Sequence, residues 1–230
     1  MSTRWQTKRD TAANWTSNNP ILLAGEWGYE TDTGEVKIGD GSTVWNSLGY
    51  VGGAGTGFGR SIVLTPQSGM PPATLFATFD TIPGGSTPAE AVSVLDFDPD
   101  ASEYMDFKFA LPAGYADGGL TVTFIFSMTS DHDEGTPHKV RWEAGIARIA
   151  DDVLDMNSDQ AYAYNGVSAI VPSVVGEVSY DDITFTDGAD MDSLAAGEMA
   201  ILRVYRDHDH ADDNATGDAE LQMITIKETP

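Results

Sequence analysis

The sequence predicts an all-β protein of two unequal parts: a small N-terminal unit of short strands and tight turns, and a larger C-terminal sandwich of jelly-roll type. Three observations predict it. Apolar residues alternate strictly in several runs, with Met105, Phe107, Phe109 and Leu111 sharing one face and Val122, Phe124 and Phe126 sharing another. Turn signatures punctuate these runs at regular spacing, as at Pro83-Gly84-Gly85, Pro112-Ala113-Gly114, Asp117-Gly118-Gly119 and Asp187-Gly188. Tryptophan and charge are also divided unevenly: Trp5, Trp15, Trp27 and Trp45 precede residue 51, and only Trp142 follows it. Residues 1–60 carry five Lys/Arg and six Asp/Glu, whereas residues 61–230 carry seven and thirty. A near-neutral part joined to an intensely acidic one argues for two domains in different surroundings.

Taken in order, residues 1–19 are polar, and Thr11 to Thr16 predicts a helical turn capped by Asp10 or Thr11. Ile21, Leu22 and Leu23 open a stretch of very short strands. Asp32-Thr33-Gly34-Glu35 has hairpin-turn composition, with Gly34 free to take a positive φ. Val36 and Ile38 share one face of the strand that follows. In the next turn, Gly39 to Thr43, Asp40 is placed to accept hydrogen bonds from backbone amides ahead of it. Trp45, Leu48 and Tyr50 follow as large anchors. Strands this short bury no core alone. The aromatic surface therefore calls for a partner, most simply the same segment of sister subunits around a symmetry axis.

Residues 4–51 contain Thr11-Ala12-Ala13-Asn14-Trp15, Asn19-Pro20, Gly25 to Glu30, Asp32-Thr33-Gly34, and Lys37 to Leu48 with its Gly39-Asp40-Gly41 turn. This pattern resembles the N-terminal domain of major tropism determinant and fibre proteins of tailed viruses. It departs at Asp10 and Gly49, where Gly and Pro are usual in the family. The resemblance implies a trimeric β-prism that anchors a virion appendage. The docking and trimerisation residues are then Trp15, Pro20, Trp27, Ile38, Trp45 and Leu48, and the partners are sister chains of a homotrimer together with a capsid or a tail and baseplate protein.

Gly52 to Gly59 is glycine-rich. It lacks the Gly-Lys-Ser/Thr ending of a phosphate-binding loop and reads as a linker over residues 52–60, between domains at 1–51 and 61–230. Beyond it the candidate strands are Ser61–Thr65, Thr74–Asp80, Ala91–Phe97, Tyr104–Leu111, Leu120–Met128, Lys139–Ile149, Val167–Val175, Glu177–Phe185, Met199–Arg206 and Leu221–Lys227, with a short helix at Ile149–Met156. The closing hairpin, Ile201 to Asp207 and Leu221 to Ile226, is loosely similar to the last hairpin of virion jelly rolls, which implies a trimeric sandwich on a particle surface.

The formal net charge is −24. That balance argues against nucleic-acid binding, which needs a basic footprint. It fits either an ordinary solvated surface or a high-salt setting in which self-repulsion is screened. No apolar stretch is long enough to insert into a membrane, and the first ten residues lack a secretory apolar core. Cysteine is absent, so thiolate metal sites and disulfides are excluded.

Candidate chemistry is sparse. His208 and His210 alternate with aspartates, a pattern that suits a divalent cation or a solvated loop, and His132 and His138 sit in a second acidic loop. Asp187 to Asp192 resembles part of a calcium loop but lacks its terminal acidic ligand. Tyr162 and Tyr164, beside Gln160 and Asn165, suit stacking on a host-surface glycan or plain packing. No nucleophile elbow, zinc-protease helix or phosphate loop is present. The expectation is a non-enzymatic virion-surface protein without cofactor, assembled in the host cytoplasm. Short length and the lack of a stalk favour a capsid-decorating knob, with a tail or baseplate receptor-binding fibre as the alternative.

Overall fold

The computed structural model describes residues 7–51, 61–133, 135–150 and 159–229. The linker at 52–60, Trp5 and most of the helix expected at 149–156 lie outside the described residues. The chain divides into two compact units, Met1–Gly59 and Arg60–Pro230.

Unit 1 contains β1 (Lys8–Asp10), α1 (Ala12–Asn18), β2 (Trp27–Glu30) and β3 (Val36–Ile38). β1 runs parallel to β2, and β3 runs antiparallel to it. Thr11 caps α1 by accepting a 3.3 Å bond from the Asn14 amide, while Asp10 accepts from the Thr11 amide and the Asn14 side chain. Asn19 ends the helix in the left-handed conformation at φ 41°, its N–H donating to the Trp15 carbonyl. Gly34 adopts φ 79° in the β2–β3 turn, as its composition predicts. Asp40 accepts from the Thr43 hydroxyl and from the Thr43 and Ser42 amides, the last two at 2.7 and 2.8 Å, which holds its carboxyl well below the usual carboxylate range.

Unit 2 contains β4 (Ile62–Leu64), β5 (Gly69–Met70), β6 (Thr78–Pro83), β7 (Ala91–Phe97), β8 (Tyr104–Ala110), β9 (Leu120–Met128), β10 (Lys139–Ile149), β11 (Ala163–Ile170), β12 (Ser179–Phe185), β13 (Met199–Arg206) and β14 (Ala219–Glu228). One sheet has the order β11-β10-β13-β8-β5. The other has the order β12-β9-β14-β7-β6, with β4 on β14. The pairs β7–β14, β8–β13, β9–β12 and β10–β11 are nested one inside the next and all antiparallel. That nesting is a long ribbon folded over itself, the jelly-roll arrangement.

The two sheets meet at Trp142. Phe124 stacks on its ring at 5.1 Å, while Phe97 and Phe126 present their edges at 4.9 and 5.4 Å. Met105, Phe107, Phe109 and Leu111 are all buried, as are Val122, Phe124 and Phe126. The alternation therefore marked the inward faces correctly. Two strands are displaced. The strand expected at Val167–Val175 lies at Ala163–Ile170, and that expected at Thr74–Asp80 lies at Thr78–Pro83. Both are at sheet edges, where exposure on two sides blurs the pattern. β5 was not anticipated.

Candidate functional site

For two of its tryptophans, Trp15 and Trp45, unit 1 corrects the premise that a neighbouring subunit must cover them. α1 presents Trp15 to Trp45, and the rings stack at 4.1 Å with planes 14° apart. With Leu22 they form a buried core within one chain. The Trp15 indole N–H donates to the Tyr29 carbonyl at 3.1 Å. β2 lies directly on Trp45: a Cβ at Gly28 would come within 2.3 Å of that ring. Trp15 and Trp45 are thus interior residues rather than contact residues. Pro20 and Trp15 line a cleft of about 480 Å³ together with Lys8, Arg9, Asp10, Asn18 and Leu22. Ile38 and Leu48 are half-buried and Trp27 is exposed.

The small sheet of unit 1 is inverted in polarity. On its inward phase Glu30 is buried, accepting from Thr33 and from the Tyr50 hydroxyl at 2.8 Å. Lys37 is buried too, donating to the Trp45 carbonyl at 2.9 Å and lying 4.2 Å from the Tyr50 ring centre. Burial pulls the Lys37 amine below its ordinary pKa, partly offset by the nearby Glu30 charge. The outward phase of β2 and β3 is apolar, Trp27 opposing Ile38 and Tyr29 opposing Val36, with Arg9 of β1 in register beside Tyr29. Trp27 is 44% exposed, and beyond the sheet Leu23 is 71% exposed.

Unit 2 gathers an aromatic cluster on the outer face of its five-stranded sheet. In register across neighbouring strands stand Tyr164 (β11), Gly145 (β10), Arg203 (β13) and Asp106 (β8), and beside them Gly166, Glu143, Tyr205 and Tyr104. Tyr162 and Tyr164 stack at 5.8 Å, Tyr164 meets Tyr205 edge-on at 5.2 Å, and Tyr205 stacks on Tyr104 at 4.6 Å. The Arg203 guanidinium lies 4.7 Å from the Tyr162 ring centre. Asp106 grips that guanidinium through two bonds of 2.7 and 2.8 Å. Gly145 makes room for the rings: a Cβ there would lie 2.9–3.1 Å from Tyr162 and Tyr164 atoms. Burial, with the Asp106 charge behind it, pushes the Tyr162 hydroxyl up to about 12, so it is protonated at neutral pH.

Sequence reasoning found Tyr162 and Tyr164 but missed Tyr104, Tyr205, Arg203 and Asp106. The signal was present, since these four alternate with the buried Met105, Phe107, Leu202 and Val204. Only the apolar phase of those strands was read.

Within one chain the described residues of the histidine loops bring no metal-ligand set together. Among the described residues no group of three or more His, Asp or Glu side chains is placed to hold a cation. The His208 imidazole pairs with the Ser102 hydroxyl at 2.9 Å, and His210 accepts from the Asp212 amide at 3.1 Å. Their loop is organised by Arg206. This fully buried guanidinium binds Asp213 twice, at 2.7 and 3.0 Å, and donates to the carbonyls of Phe97, Ala215 and Gly217. In the calcium-like stretch Asp187 accepts from Tyr115, Asp190 from Asn165 and Thr186, and Asp192 from the Arg148 amide. Those carboxylates serve separate partners. His132 and His138 lie 4.9 Å apart on a cavity of about 350 Å³, lined also by Asp133, Ile170 and Ser173.

Residues 6–43 match the family model of the major tropism determinant N-terminal domain. Two curated relatives share the same region. Both are named hyaluronoglucosaminidase and come from Streptococcus pyogenes phages. One is 48% identical over 50 residues, covering 22% of this chain and 14% of its own length. The other is 48% identical over 48 residues, covering 21% and 14%. The chain thus spans a small fraction of the curated relatives it matches, and the shared part lies in unit 1. Among solved structures, a carbohydrate-binding module that recognises mannan is 15% identical, with 74% of this chain and 99% of that one covered and a TM-score of 0.37. The cleaved adhesin domain of Lys-gingipain from Porphyromonas gingivalis is 12% identical, with 75% and 100% covered and a TM-score of 0.30. Likeness that remote does not bear on function.

Proposed function

We propose that this chain is a non-enzymatic, homotrimeric attachment protein on the surface of a tailed-phage particle, with unit 1 as docking and assembly head and unit 2 as the part that meets the host. The observation that carries the reading is the inverted small sheet of a unit whose sequence is of tropism-determinant type. An isolated head would gain by turning Glu30 and Lys37 outward and Trp27 inward. The reverse arrangement suits a head whose outer face is covered by copies of itself or by the particle. The contact residues are then Ile21, Leu23, Trp27 and Tyr29, with Ile38 and Leu48 at the margin. The phage enzymes that share this head support a docking role independent of cargo, since only 14% of their length is common to this chain.

A host-contacting role is preferred to plain capsid decoration because unit 2 displays an organised tyrosine face. Sedimentation, cell binding and fractionation test the proposal together. The purified chain should sediment as a trimer, Trp27→Ser should shift it toward monomer, and labelled protein should bind host cells and compete with infection. Monomeric wild-type protein under virion-like ionic conditions would remove the assembly reading. Association with capsid fractions and no affinity for cells would replace attachment by decoration.

A further inference from the structure

We infer that the tyrosine face of the five-stranded sheet is a binding site for a neutral glycan; this rests on the attachment reading and names its ligand class. The first ground is shape. The rings of Tyr162, Tyr164, Tyr205 and Tyr104 follow one another across β11, β13 and β8 in continuous contact. At about 4.8 Å per strand this row spans roughly 14 Å. The missing side chain at Gly145 lets Tyr162 and Tyr164 lie over the sheet. Sugar rings present C–H faces that pack on such surfaces while their hydroxyls seek polar groups at the edge.

The second ground is that polar groups are fixed at that edge. The Arg203–Asp106 fork beside Tyr162 offers guanidinium donors and carboxylate acceptors in one plane. On the far side Arg141 and Glu143 pair at 2.7 Å over Gly166, where a Cβ would strike both side chains. A site with few, oriented polar groups around an apolar floor is what a small polyhydroxylated ligand needs.

Charge then narrows the class. Residues 61–230 carry a net of −23, which repels an anionic polymer. A cationic ligand would compete for a position that Arg203 already holds over Tyr162. An uncharged glycan meets neither obstacle.

The test uses the full chain in native affinity electrophoresis through gels holding soluble glucan, mannan, galactan or the neutral glycan fraction of the host envelope, with hyaluronan as anionic comparator. At least one neutral glycan should retard the wild-type protein, and hyaluronan should not. Tyr164→Ala should weaken retardation about tenfold, the scale of one lost aromatic contact. Tyr164→Phe, which keeps the ring, should stay close to wild type, and both variants should melt as wild type does. Retention by no neutral glycan, preference for hyaluronan, or retardation insensitive to both Tyr164→Ala and Tyr162→Ala overturns the inference. Host-cell binding measured on the same proteins separates the two levels. Binding unchanged in the alanine variants leaves attachment standing without the glycan site, whereas no binding by wild type removes attachment itself.

Discussion

Trp15 and Trp45 stack face to face at 4.1 Å inside a unit whose strands are three or four residues long. The pair concentrates the core of unit 1 in two side chains and Leu22, so unit 1 should be brittle at these positions and tolerant on its outer sheet. Trp45→Ala should destabilise unit 1 by about 3–5 kcal/mol, enough to unfold it. Trp27→Ser should leave unit 1 folded, its melting lowered only by what the lost subunit contact contributed. Calorimetry on both variants distinguishes an interior tryptophan from a contact tryptophan.

Arg206 and Asp213 form an ion pair out of reach of solvent, with the guanidinium's other donors on three carbonyls. Removing one partner strands a buried charge. Asp213→Ala should therefore destabilise unit 2 by about 3–5 kcal/mol, and Arg206→Lys should also lose stability because an ammonium does not span the same acceptors. Urea melts followed by Trp142 fluorescence report the change.

Two buried groups make stability depend on pH in opposite directions. Burial, with the charges of Asp80 and Glu220 behind it, raises Asp96 to about 7. The fold favours its protonated form, so that contribution is complete below the unfolded carboxylate pKa and is lost as pH rises through about 7. Asp96→Asn should remove this alkaline loss, a gain of roughly 1 kcal/mol at pH 8 once solvent screening is allowed for. His132 behaves oppositely. Burial, with His138 nearby, lowers its pKa, so the fold favours neutral imidazole, and stability is lost as pH falls below the ordinary histidine value. His132→Phe should flatten the acid limb of a melting-temperature profile between pH 4.5 and 8.5.

Salt should stabilise the chain. Its net charge of −24 makes self-repulsion large in dilute buffer, and raising ionic strength from 0.1 to 1 M shortens the screening length from about 10 to about 3 Å. The melting temperature of unit 2 should rise by several degrees over that range. A flat profile would show that the acids are spaced widely enough for their repulsion not to matter.

Much of the fold was legible in the residues. β7, β9, β10 and β13 have the bounds that apolar residues and turn residues assign, because these central strands bury enough apolar side chains to stand out between their turns. The misplaced elements are the ones that lack such a face. The site was half legible. Tyr162 and Tyr164 stand out because two tyrosines in three residues are conspicuous, whereas Tyr104, Asp106, Arg203 and Tyr205 come together only through the β8–β13 register. Lys37 and Arg206 were illegible for another reason: a cation in a strand reads as solvent-facing until the carbonyls that receive it are placed around it.

The pairing of Ile62–Leu64 with Ile224–Ile226 lays the first strand of unit 2 antiparallel to its last, in the middle of the second sheet. The first and last strands of unit 2 therefore hold each other, and they should open together rather than one before the other when the unit is unfolded.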